Sequence, residues 1–67
     1  MTPRRIATVI RALREDRKLT QEQLAKRAKV ARGYLAQHEA GHKKNPSLPA
    51  LKRLAKALDV KVGRLVE

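Results

Sequence analysis

His38 and His42 stand four residues apart, a spacing at which two imidazoles on one helix face could share a divalent cation. Neither a third histidine nor a nearby pair of carboxylates completes such a site, and the sequence contains no cysteine. A glycine-rich phosphate loop and a serine-centred nucleophile motif are also missing. Cations dominate the chemistry instead. There are 17 lysines and arginines against six acidic residues, a formal net charge of +11 on 67 residues. Small soluble domains carry a net charge of about 2 to 8 in magnitude, so this chain exceeds what solubility needs. Its positive potential attracts polyanions over distances near the Debye length, about 8 Å at physiological salt. The residues therefore point to a binding protein and not an enzyme, with no catalytic or metal site, no cofactor and no small-molecule substrate. Nucleic acid is the leading partner, with a membrane surface or an acidic protein as rivals.

A scaffold must hold those cations in place, and the length allows a single domain over residues 1–67. A chain this short buries only roughly 60% of its unfolded surface, and without disulfides it relies on close helix packing, helped by a partner chain. A cysteine-free composition fits a cytosolic setting. No apolar run approaches the ~20 residues that span a bilayer, and Arg11 and Arg14 interrupt any signal-peptide core, so a soluble, unprocessed chain is expected. One tyrosine is the only aromatic residue, which leaves the core to Leu, Ile, Val and Ala.

Apolar residues recur at helical spacing almost throughout, which predicts an all-α fold. Thr2 and Pro3 read as a helix start, followed by a stripe of Ile6, Ile10 and Leu13 with Val9 beside it; Arg4, Arg11, Glu15 and Lys18 occupy the other side. Thr20 and Gln23 form a capping box, with Leu19 and Leu24 at the staple positions, so a second helix begins at Gln21 and buries Leu24, Ala25 and Ala28. A third helix follows over 31–39, with Ala31, Leu35 and His38 on one face, and Gly41 ends it in a left-handed conformation. After a polar loop from His42 to Pro46, Ser47 caps a fourth helix that turns Leu51, Leu54, Ala55 and Leu58 inward. A last short turn carries Val62, Leu65 and Val66.

Two short helices joined by a tight turn, with Ala25 and Ala28 where they cross and Val30 plugging the turn, read as a helix-turn-helix unit over about 20–39. From Leu13-Arg14 through Leu19-Thr20-Gln21-Glu22-Gln23-Leu24-Ala25, then Val30, Leu35, Glu39, Gly41, Pro46-Ser47, Leu51, Leu54-Ala55, Leu58 and Val60, the chain resembles the lambda-repressor and Cro family, also called the XRE-type helix-turn-helix. The resemblance covers about residues 6 to 66. It implies a compact five-helix DNA-binding domain that regulates transcription as a repressor, reading the major groove with helix 31–39. Gln21 corresponds to a phosphate-binding position at a helix N-terminus. On the reading helix, Gly33, Gln37 and Ala40 point away from the core, flanked by Arg32, Tyr34 and Ala36. Arg32 suits a guanine edge and Gln37 an adenine, while Gly33 and Ala36 leave room for close approach or a thymine methyl. Tyr34, Lys43 and Lys44 are the further phosphate contacts, although Tyr34 could equally pack on a neighbouring helix. Arg14 and Glu39 correspond to a structural ion pair between helix one and the end of helix three.

The chain departs from the family pattern at three positions. Lys29 stands where glycine is usual, so it either accepts a strained positive φ or the turn is remodelled. Ala31 lacks a capping hydroxyl, and His38 replaces a large apolar residue, as a half-buried, hydrogen-bonded imidazole or a pH switch. Two rivals to DNA are a basic protein-interaction module, such as an antitoxin or controller-protein subunit, and an RNA-binding domain. The aromatic residues that anchor membrane helices or stack on single-stranded RNA are missing. A single reading helix covers few bases, so a homodimer on a palindromic operator is expected, with Val62, Leu65 and Val66 as its contact or as closure of the core. The family implies a cytoplasmic, nucleoid-associated protein of prokaryotic, phage or plasmid origin.

Overall fold

Helix α1 (Pro3–Asp16) opens a computed structural model that describes residues 3–41 and 46–66. Thr2, His42, Lys43 and Lys44 lie outside the described residues. Ile6, Ile10 and Leu13 recur at i, i+4 and i+7 and are buried on one side of α1, with Ala7 beside them. Helix α2 (Gln21–Ala28) starts at the capping box. The Gln23 backbone N–H donates to Thr20 Oγ1 at 3.0 Å, and the Thr20 N–H donates to Gln23 Oε1 at 2.8 Å. Helix α3 (Arg32–Glu39) has Ala31 as its N-cap, with no side-chain hydrogen bond there. Ala31 is exposed, contrary to the inward position expected of it, because as the cap it sits outside the helical face that buries Leu35 and His38. Helix α4 (Leu48–Ala57) begins where Ser47 Oγ accepts the Ala50 N–H at 3.3 Å, and helix α5 is the short Val62–Val66 segment.

Helices α1, α2 and α4 end in the same way. Lys18, Lys29 and Asp59 adopt left-handed φ of 57°, 57° and 58°. In each case the next residue turns its N–H back onto a carbonyl five residues earlier: Leu19 to Arg14 at 3.1 Å, Val30 to Ala25 at 3.0 Å and Val60 to Ala55 at 2.9 Å. This is the Schellman arrangement, which satisfies carbonyls that a helix end would otherwise leave open. The apolar residue that follows each left-handed position, Leu19, Val30 or Val60, packs on the core and fixes the direction of exit. Lys29 therefore takes the strained conformation, and the turn between α2 and α3 is not remodelled. Gly41 also takes a left-handed φ, of 75°, just past the end of α3.

The main packing partners form a closed circuit. Helix α1 packs on α3 and α5, α2 on α3 and α4, and α4 on α5. Ile6, Ile10, Leu24, Leu35, Leu54, Leu58 and Leu65 fill its centre, each below 2% exposed. Full burial of such side chains is worth about 1.5–3 kcal/mol each, the main favourable contribution in a chain without disulfides. Leu65 belongs to this core at 1% exposure, which is the closure of the core offered as the alternative to a contact between copies; Val62 and Val66 are half-buried. Because α3 packs on α1 and α2, helices α4 and α5 stand across the circuit from it.

Candidate nucleic-acid interface

Helix α3 divides cleanly by burial. Leu35, His38 and Glu39 are buried, Tyr34 and Ala36 are half-buried, and Arg32, Gly33, Gln37 and Ala40 are exposed. Gly33, Gln37 and Ala40 recur at i, i+4 and i+7, with Arg32 and Ala36 on the adjoining row. The result is a strip whose long side chains are Arg32 and Gln37, set among residues with little or no side chain. A β-carbon built on Gly33 meets no atom within 4 Å, so nothing inside the fold demands glycine there.

A polar network sets the position of that strip. Arg14 and Glu39 form a two-pronged ion pair, with Nε to Oε2 at 2.8 Å and Nη2 to Oε1 at 3.0 Å. Arg14 Nη1 also donates to the Leu19 carbonyl at 2.7 Å, and Gln21 Nε2 donates to Glu39 Oε1 at 3.2 Å. The end of α1, the start of α2 and the end of α3 are thus joined at one carboxylate, whose side chain is only 3% exposed. With three side-chain N–H groups donating to it, Glu39 is a structural anion. Gln21 uses one N–H on Glu39 and keeps a second on the same amide, at the N-terminus of α2 where the helix dipole favours anions.

Tyr34 packs edge to face on His38, with ring centroids 4.4 Å apart and planes at 64°. The two residues are four apart on α3, so this contact lies within one helix and is not the packing on a neighbouring helix that the sequence left open. His38 is 5% exposed, more deeply placed than the half-buried imidazole expected, because it faces the interior beside Leu35. Sequence reasoning missed Arg11, which it placed on the solvent side of helix one. Arg11 lines a polar concavity of about 210 Å³ together with Arg14, Gln21, Ala36, Glu39 and Ala40. It lies three residues before Arg14, one helical turn away on the same face, and that spacing was the available signal. Glu15 is its surface partner at 3.5 Å.

Two short helices, a left-handed Schellman turn between them and an outward strip on the second define a helix-turn-helix domain. The helix-turn-helix family profile matches residues 10–65, and the chain belongs to that family. The immunity repressor protein of Bacillus phage phi105 is 47% identical over 57 residues, which cover 85% of this chain and 39% of that protein. The chain thus corresponds to less than half the length of that relative. Among solved structures, the restriction-modification controller protein C.AhdI from Aeromonas hydrophila superposes with a TM-score of 0.89 at 33% identity, over 94% of both chains. SinR, a master regulator for biofilm formation known from Bacillus subtilis and solved in complex with DNA, gives a TM-score of 0.89 at 32% identity, over 92% of this chain and 98% of that one.

Proposed function

We propose that the chain binds double-stranded DNA with α3 in the major groove and acts as a transcriptional repressor. The observation that carries this is the exposed strip of α3, with Arg32 and Gln37 standing among Gly33, Ala36 and Ala40. A helix must bring base-reading groups past the sugar-phosphate rim, and small neighbours allow it to sit deep enough for them to reach base edges. Arg32 takes a guanine and Gln37 an adenine, each by paired hydrogen bonds. Gln21, Arg11 and the start of α2 hold a phosphate beside the strip, and Lys43 and Lys44 hold others. Tyr34 adds its hydroxyl to a phosphate while its ring stays on His38. The resemblance to a phage immunity repressor and to DNA-bound SinR supports this reading.

Two copies bind a palindromic operator as a homodimer, with half-site centres about 34 Å apart, inside the cytoplasm of a bacterial host. Selection of bound sites from random duplexes should return a two-fold symmetric sequence. A parallel titration should favour duplex DNA over RNA and over anionic vesicles; an equal or greater affinity for either would overturn the assignment.

A further inference from the structure

Packing gives no reason for the left-handed lysine in the turn before α3. Lys29 holds φ of 57°, and its backbone is pinned there: its N–H donates to the Lys26 carbonyl at 3.2 Å and the Val30 N–H to the Ala25 carbonyl at 3.0 Å. Glycine takes this conformation without penalty, so the β-carbon adds strain that the turn does not need. The side chain is exposed, and no ion pair among the described residues engages it. A cation favours the end of a helix, but Lys26 and Arg27 already stand in the last turn of α2. Lys18 has the same φ at the end of α1; among the described left-handed residues, Lys29 is the one that leads into α3. From Gln23 to His38 the sequence holds Lys26, Arg27, Lys29 and Arg32 and no carboxylate to neutralise them.

We propose that Lys29 is a DNA-backbone contact, its ammonium holding a phosphate beside the base that Arg32 reads. This rests on α3 reading the major groove. Lys29 and Arg32 are three residues apart in sequence, so their Cα atoms lie at most about 11 Å from each other. The major groove is about 12 Å wide, so Arg32 at a base edge leaves the Lys29 ammonium, on its four-carbon stem, within reach of the phosphate rim. The exposed run from Lys29 to Gly33 is broken only by Val30, which packs on the core. Gln21 and Arg11 share their concavity with Ala36 and Ala40, toward the other end of α3. Lys29 serves the start of the same helix, so backbone contacts near both ends fix its register in the groove.

The test compares wild type, K29Q, K29R and K29G on the selected site and on its single-base variants across a salt series. K29Q keeps the β-carbon and removes the charge. It should lose roughly five- to tenfold in affinity per bound copy at 0.1 M salt, alike on every sequence, and flatten the salt slope by about 0.9 per copy. K29R should restore both. K29G should resist urea better than wild type and still bind as weakly as K29Q, the reverse of what a purely structural lysine would give. Ethylation interference should reveal, in each half-site, a phosphate whose ethylation weakens wild type but not K29Q. An unchanged salt slope in K29Q, or an interference pattern identical to that of wild type, would overturn the contact while leaving the α3 reading in place. A loss confined to one base pair would overturn it too, since Lys29 would then read sequence. If wild type itself fails to distinguish the selected site from its variants, the α3 reading fails and the Lys29 contact with it.

Discussion

Gly33 stands in the first turn of α3, on its exposed face, where a methyl group would meet open space. Alanine there should stabilise the helix by up to about 1 kcal/mol, since glycine is the poorer helix former by that amount. In a domain of this size that corresponds to a rise in Tm of about 4–8 °C. If the bare backbone lets DNA come close, G33A should bind its operator more weakly although it is more stable, and calorimetry with a duplex titration would check both. Unchanged affinity in the stabler variant would mean that the glycine serves no close approach. Gln37 and Lys43 make a second contrast. Q37A should relax preference at one base pair by about 1–3 kcal/mol, whereas K43A should weaken all sequences alike and flatten the salt slope by about one unit. Equal losses on every sequence for both variants would show that contacts have been sorted wrongly between bases and phosphates.

At the scale of elements, the ends of the helices and their junctions carry the argument. Lys29 holds a left-handed conformation that costs a residue with a β-carbon roughly 1 kcal/mol or more. K29G should therefore raise the unfolding free energy by about 1 kcal/mol in urea titration, without altering the turn. A loss of stability would show that the lysine side chain makes a favourable contact there. The Glu39 junction should behave oppositely. E39A leaves the Arg14 guanidinium part-buried without its anion and should cost about 3–5 kcal/mol, a large share of what so small a domain has. Starts of helices were legible in the sequence because Thr20 and Ser47 have side chains that accept backbone N–H groups, and the structure places both bonds. Ends were harder to read. Gly41 announced itself, but Lys18 and Asp59 take the same conformation with no glycine to mark it. Their signal is the apolar residue that follows, Leu19 or Val60, which a search for periodicity reads as loop. Leu65 shows another limit: spacing says that a side chain must be covered, and only the packing of α5 on α4 and α1 says by what. Within the candidate site, the exposed row of α3 followed from Leu35 facing inward. Arg11 did not, because apart from Arg14 its neighbours in the concavity, Gln21, Ala36, Glu39 and Ala40, are remote in sequence.

For the whole molecule, a net charge of +11 on 67 residues acts on folding and on binding in opposite senses. Within one compact chain the cations repel one another, and ion pairs such as Arg11–Glu15 on the surface offset little of that. Added salt screens the repulsion, so the free protein should melt at a higher temperature in 0.5 M than in 0.02 M sodium chloride, conditions in which the Debye length shrinks from tens of ångströms to a few. The complex should respond in reverse. Each phosphate neutralised releases a counterion, so with about 6–10 phosphate contacts the affinity should fall about 10³- to 10⁵-fold between 50 and 200 mM salt. Thermal melting of the free chain and fluorescence titration of a labelled operator, run across the same salt series, measure the two trends side by side. A melting temperature that falls with salt would mean that attractive pairs outweigh the repulsion. An affinity that ignores salt would mean that the charge does not meet phosphate, and the basic surface would then need a different explanation.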